Sequence, residues 1–514
     1  MGYKSWLKGA LAVVGMPAVK LLARALEHES VTSSRNDQIL RHSVDLLTIA
    51  RNIAASGDHF VIDPTEIDRL SGEKWPLKIG FFGNIANNNY NIVRILRRMG
   101  VDAELVIENG CIDAFLLSRP FWEDKEVECA TYDEGLKQEP GWVAPTFVRC
   151  VGYDHDLQQC YQGRYSAIPE VQQRYAQAFG RDLPADKAFL LAQIMGHWPF
   201  LVSMQRYDIV QLSAASIMMG SFSPCHHVVM PTGSDLFISP FEESFQGLLF
   251  RAGYTTAKHI IPSGTNYPEY LMRLCPSVPA TFLPMIVDTD IYIPGDEPEI
   301  RKKWVDCVGG RLFLLGVCRQ SWKWKGNDHL LRGFALAVTQ GDDDWRLVLQ
   351  EWGPDIDKSK ALIAELGLET KVLWEPLCSK PLLRRRQRAA DAIADQFVME
   401  GYGTSVLESM AAKKPIIIRR SPSRANTILG EVPPFVAAND PAEIADGLRR
   451  LSCDVFRAVI AEDTLRWLKK IHGSQALEEK YLDVYYQTRL GRLSVASFEK
   501  SAPKADLSPR VQAA

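Results

Sequence analysis

Residues 77–107 read LKIGFFGNIANNNYNIVRILRRMGVDAELVI, and the fold follows from this stretch. Leu77 to Phe82 is apolar without alternation and stops at Gly83-Asn84, as a strand buried on both faces does. Asn91 to Met99 then places Ile92, Val93, Ile95, Leu96 and Met99 at helical spacing. Ala103 to Ile107 is a second short apolar run. Strand, helix and strand in about thirty residues make one βαβ unit of a parallel, doubly wound sheet.

Downstream, Asp208 to Leu212, Val228 to Met230 and His259 to Pro262 continue the pattern. Ala280 to Ile286 (ATFLPMI) predicts the last strand of this half, ahead of a hinge at Val287 to Tyr292. The stretch from Glu108 to Arg206 mixes aromatic loops with helical segments, and periodicity does not parse it. The second half alternates more cleanly. Strands are expected at Leu312 to Val317, Arg346 to Gln350, Val372 to Trp374, Ala392 to Ala394 and Pro415 to Arg419. Helices fall between them, near Asp328 to Val338, Lys358 to Leu366, Leu382 to Ala389 and Thr404 to Ala412. After Phe435 only helical patterns remain.

The expected architecture is therefore α/β, with two Rossmann-like domains facing across a cleft and a helical N-terminal extension. Its divisions are an extension at 1–75, a first Rossmann-like domain at 76–287 and a second at 288–465. Helices at 466–493, able to cross back to the first domain, and a disordered tail at 494–514 complete the chain. A ligand would sit between the carboxyl ends of the two sheets.

Composition narrows the function. The 514 residues are 46% hydrophobic and 24% charged, which excludes a disordered, collagen-like or coiled-coil chain. A net charge of −3 gives no footprint for bulk nucleic-acid binding. The ten cysteines show no CxxC pair, which fits free thiols in a reducing, cytoplasmic setting. Near the N-terminus, the apolar run Gly9 to Val19 is too short to span a bilayer. With Lys4, Lys8, Lys20 and Arg24 around it, residues 1–26 read either as a packed helix or as a basic segment lying on the cytoplasmic face of a membrane.

Two segments carry chemistry. Glu400 to Lys414 reads EGYGTSVLESMAAKK: Gly401 and Gly403 permit a tight turn, and a helix starts near Thr404. Free amides at Gly403, Thr404 and Ser405 would suit a phosphate or diphosphate. Glu400 precedes those amides and Glu408 lies one turn into the helix, where carboxylates can accept hydrogen bonds from sugar hydroxyls. Gly316 to Gly326 reads GVCRQSWKWKG and brings Arg319 and Lys325 to the end of the first strand of the second half. Two cations there can neutralise a diphosphate. By themselves, paired glutamates and a basic loop are also common as solvated surface.

Together with VLQEWGPDIDKSKALIAELGL, KVLWEPL and RAADAIADQFVMEGYGTSVLESMAAKKPIII, these segments resemble the donor domain of family 4 retaining glycosyltransferases, whose architecture is the two-Rossmann GT-B fold. The resemblance covers about Leu77 to Leu490; in the first half it rests on ILRRMG, RYDIVQLSA, PTGSDL, LLFRAGYTTAKHIIPSG and PMIVDTDIY. It implies that Arg319 and Lys325 bind the donor diphosphate. Glu400 would contact the transferred sugar and Glu408 the nucleotide ribose. The resemblance further implies a nucleotide-diphospho-sugar donor, a saccharide or lipid-linked acceptor, and neither metal nor other cofactor. Gly83, Asn84 and Asp235 are the candidates for the acceptor side or a phosphate loop. Thr232 stands where family members often carry His, and Glu351-Trp352-Gly353-Pro354 is one glycine short of the usual turn. Asp288-Thr289-Asp290 matches an Asp-x-Asp metal pattern, but it falls in the hinge stretch, which has no metal role in the family. A sugar-nucleotide epimerase of the same fold would need catalytic carboxylates and His in the cleft. A non-catalytic scaffold need not keep Arg319, Lys325, Glu400 and Glu408 together.

Overall fold

The structure, a computed structural model, describes residues 77–109, 115–137, 141–399, 401–420 and 429–490. The expected N-terminal extension, its membrane segment and the C-terminal tail lie outside the described residues. The described residues of 78–99 and 103–490 pack as one compact unit.

The first sheet has six strands in the order β4-β2-β1-β5-β6-β7. These are β1 (Lys78–Phe82), β2 (Asp102–Asn109), β4 (Val148–Gly152), β5 (Ile209–Ser213), β6 (His226–Met230) and β7 (His259–Ile260). The pairings β2–β4, β1–β5, β5–β6 and β6–β7 are parallel. Successive residues of β1 face opposite sides, as a strand dictates. Phe82 meets Phe200 and Tyr207 edge-on, within a core that includes Val171 and Tyr175 of α2 (Ile168–Phe179) and Leu191 of α3 (Ala185–Ala192). Phe81 points the other way and meets Tyr485. The helix of the opening βαβ unit, α1 (Asn88–Arg98), starts three residues earlier than Asn91. Ala280 to Ile286 does not form the expected strand. It runs beside β7 with Thr281 N–H donating to Ile260 and Leu283 N–H to Pro262, but only the Ile260–Ala280 bridge forms. Pro262 and Pro284 have no N–H to extend the ladder.

The second sheet has seven strands in the order β13-β12-β11-β8-β9-β10-β3. From the second half come β8 (Leu312–Gly316), β9 (Trp345–Glu351), β10 (Val372–Cys378), β11 (Ala392–Ala394), β12 (Ile416–Ile418) and β13 (Val436–Ala437), all joined in parallel. Every residue of β8 is buried, which explains its unbroken apolar run. The seventh strand was not legible. β3 (Glu128–Cys129) belongs to the unparsed stretch and pairs antiparallel with the end of β10, Cys129 opposite Leu377. Around it Leu116, Phe121, Trp122 and Val127 form a small core with Leu377. β13 corrects the all-helical reading after Phe435: Val436 pairs with Ile417, a strand too short to show a period.

The remaining helices used below are α4 (Phe245–Thr255), α5 (Pro298–Val308), α6 (Asn327–Thr339), α7 (Ile356–Glu365), α8 (Lys380–Ala389), α9 (Thr404–Ala411), α10 (Pro441–Ser452), α11 (Asp454–Ile471) and α12 (Ser474–Leu490). α12 returns to the first sheet, where Tyr485 donates to Gln211 at 2.6 Å and Tyr481 donates to the Pro284 carbonyl. Among the described residues no helix is long and apolar enough to cross a membrane.

Candidate functional site

The loop after β8 is set by close backbone approach. Gly353 has φ +119°, and a Cβ there would lie 2.4 Å from the Gln320 carbonyl oxygen. Only glycine lets the loops after β8 and β9 meet so closely. Beyond this contact Arg319 is exposed, with no hydrogen bond or ion pair among the described residues. Lys325 ends a one-turn helix, Trp322–Lys325, and its Nζ donates to Gln396 Oε1 at 2.5 Å. Gln396 in turn donates from Nε2 to the Gly401 carbonyl at 2.8 Å. It therefore couples the lysine to the turn that precedes α9. Burial pushes the neighbouring Asp395 carboxyl up, and Lys325 partly offsets this.

α9 starts at Thr404 as the glycines predict. Gly403 is its N-cap, extended at φ −95° and ψ 179°, and no side chain caps the helix. The amides of Thr404 and Ser405 thus have no partner within the helix, and the helix dipole favours an anion beside them. Thr404 and Glu408 line a cleft together with Asn88, Asn91 and Ile92 of α1 and Met230 at the end of β6. The start of α9 therefore opens toward the carboxyl edge of the first sheet.

Glu408 differs from the expected free carboxylate. It is buried, and Lys380 at the start of α8 donates to both of its oxygens at 2.6 Å. Beside this pair Glu123, from the stretch around β3, accepts from Tyr292 at 2.6 Å. Burial pushes the Glu123 carboxyl up, while Lys380 pulls it back. Glu400 lies outside the described residues.

The first-half candidates hold the loops. Gly83 turns at φ +78°, and a Cβ would fall 2.3 Å from the Ser213 carbonyl oxygen. Asn84 is buried and donates to Asn87 Oδ1 and the Ser118 carbonyl while accepting from Tyr90 N–H. Asp235 is buried too, accepts from the Thr232 amide at 3.0 Å, and burial pushes its carboxyl up to about 6. All three side chains or backbone positions are thus used by the fold. Of the Asp-x-Asp pair, Asp288 is buried and clasped bidentately by Arg98 at 2.7 and 2.8 Å, while Asp290 is 3.5 Å from the same guanidinium. His226 and His227 point apart along β6, and His227 Nε2–H donates to the Gly253 carbonyl at 2.9 Å.

One pair escaped sequence reading. Glu108, near the carboxyl end of β2, is fully buried and holds His197 Nδ1 at 2.8 and 2.9 Å. The His197 ring is itself buried, and among the described residues its Nε2 has no hydrogen bond. A carboxylate that orients Nδ1–H leaves Nε2 able to accept a proton. The two residues are 89 apart in sequence, and neither sits in a motif.

Two Rossmann-like α/β halves with parallel sheets are the fold of GT-B glycosyltransferases. Residues 306–460 match the family described as Glycosyl transferases group 1. A D-inositol 3-phosphate glycosyltransferase from Thermomonospora curvata is 30% identical over 184 residues, which are 34% of this chain and 42% of that relative. The match thus spans less than half of the relative's own length. Anabaena HepE in complex with UDP-glucose superposes with a TM-score of 0.55 at 13% identity, covering 80% of this chain and 100% of that one. Sucrose-phosphate synthase from Thermosynechococcus elongatus gives 0.52 at 11% identity, covering 80% and 98%.

Proposed function

We propose that this chain is a metal-independent, retaining glycosyltransferase of the family 4 type, moving a sugar from a nucleotide-diphospho-sugar to an acceptor hydroxyl in glycan, polysaccharide or glycolipid assembly. The carrying observation is the convergence of Arg319, Lys325 and the uncapped start of α9 at the carboxyl edge of the second sheet. A nucleoside diphosphate leaves as negative charge builds on its bridging oxygen. Two cations and two helix amides, already in place, stabilise that charge without reorganising. The Lys380 pair does not close Glu408 to a ribose: a carboxylate has about four lone-pair sites, and Lys380 engages one on each oxygen. In a front-face reaction the leaving phosphate can take the acceptor proton. The neighbouring structure holding UDP-glucose makes uridine diphosphate sugars the first donors to try. The test is isothermal titration of UDP-glucose into the wild type and into Lys325→Ala. Binding that weakens at least tenfold in the variant supports the reading, whereas equal affinity in both removes Lys325 from the donor site.

A further inference from the structure

The first half holds another cavity, of about 510 Å³, far along its strands from the donor side. It lies at the amino ends of β6 and β7, where His226 begins one strand and Lys258 immediately precedes the other. The cleft beside α9 is instead at the carboxyl end of β6, marked by Met230. The two sites are therefore on opposite edges of one parallel sheet.

The wall of this cavity is basic. Arg181, Lys187 and Lys258 face a single carboxylate residue, Asp182. Arg181 is already engaged, donating to the Tyr175 hydroxyl and to the carbonyls of Phe222 and Ser223. The side-chain ammonium groups of Lys187 and Lys258 have no hydrogen bond or ion pair among the described residues. Two residues of the wall, Ser221 and His226, each carry a polar atom (Oγ and Nδ1) that is buried and has no hydrogen-bond partner among the described residues. Buried polar atoms are rarely left unmatched, so two at one cavity call for a ligand or for ordered water. Burial, helped by Lys258 and by Arg489 near the end of α12, lowers the His226 pKa.

We propose that this cavity binds a phosphate-bearing ligand at a site separate from the donor cleft. Its donors are two ammonium groups, one hydroxyl and one imidazole, a set suited to the anionic oxygens of a phosphate group. Its volume admits a phosphate with a small organic group attached. The same chemistry is offered by a soluble phosphate ester and by a phospholipid headgroup.

The test is thermal unfolding and calorimetry of the full chain with inorganic phosphate and glycerol phosphate, against chloride at equal ionic strength. Phosphate should raise the melting temperature of the wild type. The double variant Lys187→Ala/Lys258→Ala should bind it at least tenfold more weakly. Ser221→Ala should bind it a few-fold more weakly while the free chain keeps its melting temperature, because its hydroxyl has no partner to lose. Arg319→Ala/Lys325→Ala should keep the share of the phosphate effect that the lysine double variant loses. Sedimentation with phosphatidylglycerol vesicles, compared with phosphatidylcholine, separates the sources. Vesicle binding that the lysine double variant loses assigns a headgroup; phosphate binding without vesicle binding assigns a soluble ester. Unchanged phosphate affinity in the lysine double variant, or loss of that share in the Arg319/Lys325 variant, would overturn the proposal.

Discussion

At the residue scale the buried Lys380–Glu408 pair carries the sharpest consequence. Removing one partner of such a pair strands a charge, at a cost of about 3–5 kcal/mol. Lys380→Ala should therefore lower stability by about that amount in urea unfolding. Lys380→Met combined with Glu408→Gln should recover most of it, because no ionised group is left alone. A single variant as stable as the wild type would mean that Glu408 has another counter-charge. His197 offers a test of a different kind. Its Nδ1 is fixed by buried Glu108, and if the ring serves as a base His197→Gln should keep donor binding but reduce transfer to an acceptor. Loss of donor binding would show instead that the pair only supports the fold.

At the element scale the helix start of α9 can be tested without disturbing the helix. Thr404 occupies the first helical position, where proline is well tolerated, and extended Gly403 satisfies the restriction on the residue before proline. Thr404→Pro deletes one amide donor. Donor affinity should fall about tenfold, the weight of one hydrogen bond to a charged group, while the melting temperature changes little. An unaltered affinity would place the diphosphate elsewhere. The elements also show what sequence can reveal. The short, mainly apolar runs of β1, β5, β8 and β9 were visible because parallel strands are buried on both faces. Arg319, Lys325 and the start of α9 were visible because each lies within a few residues of a strand end or a glycine turn. β3 was not: two residues have no period, and their partner in β10 is 248 residues away. Lys380 and the Glu108–His197 pair were hidden for the same reason, since contacts across the fold leave no local pattern.

At the scale of the whole molecule the hinge ties the halves together through a neutral histidine. His472 Nδ1 lies 2.7 Å from the Met285 carbonyl, and Tyr402 O–H faces its Nε2 at 3.0 Å. Val287 N–H donates to the His472 carbonyl at the same crossing. Burial pushes the pKa values of His472, His227 and His259 down to about 4, from an ordinary 6.5. Between those values the unfolded chain binds protons that the folded chain refuses. Stability is thus fully present above pH 6.5 and is lost as pH falls toward 4. Asp235 acts in the opposite sense, since its raised pKa lets the folded chain hold a proton up to about pH 6. His472→Gln should flatten the acid limb of stability by up to one proton, and an unchanged limb would show that His472 is charged in the fold.

The central claim is that Arg319, Lys325 and α9 form a donor diphosphate site. Its most direct test is calorimetric titration of UDP-, GDP- and ADP-sugars into the wild type and into Arg319→Ala/Lys325→Ala, with EDTA present throughout. The account predicts that at least one donor binds the wild type without metal and that the double variant loses most of that affinity, while unfolding at the same temperature. Binding that survives in the double variant, or a wild type that binds none of these donors with or without added manganese, would contradict it.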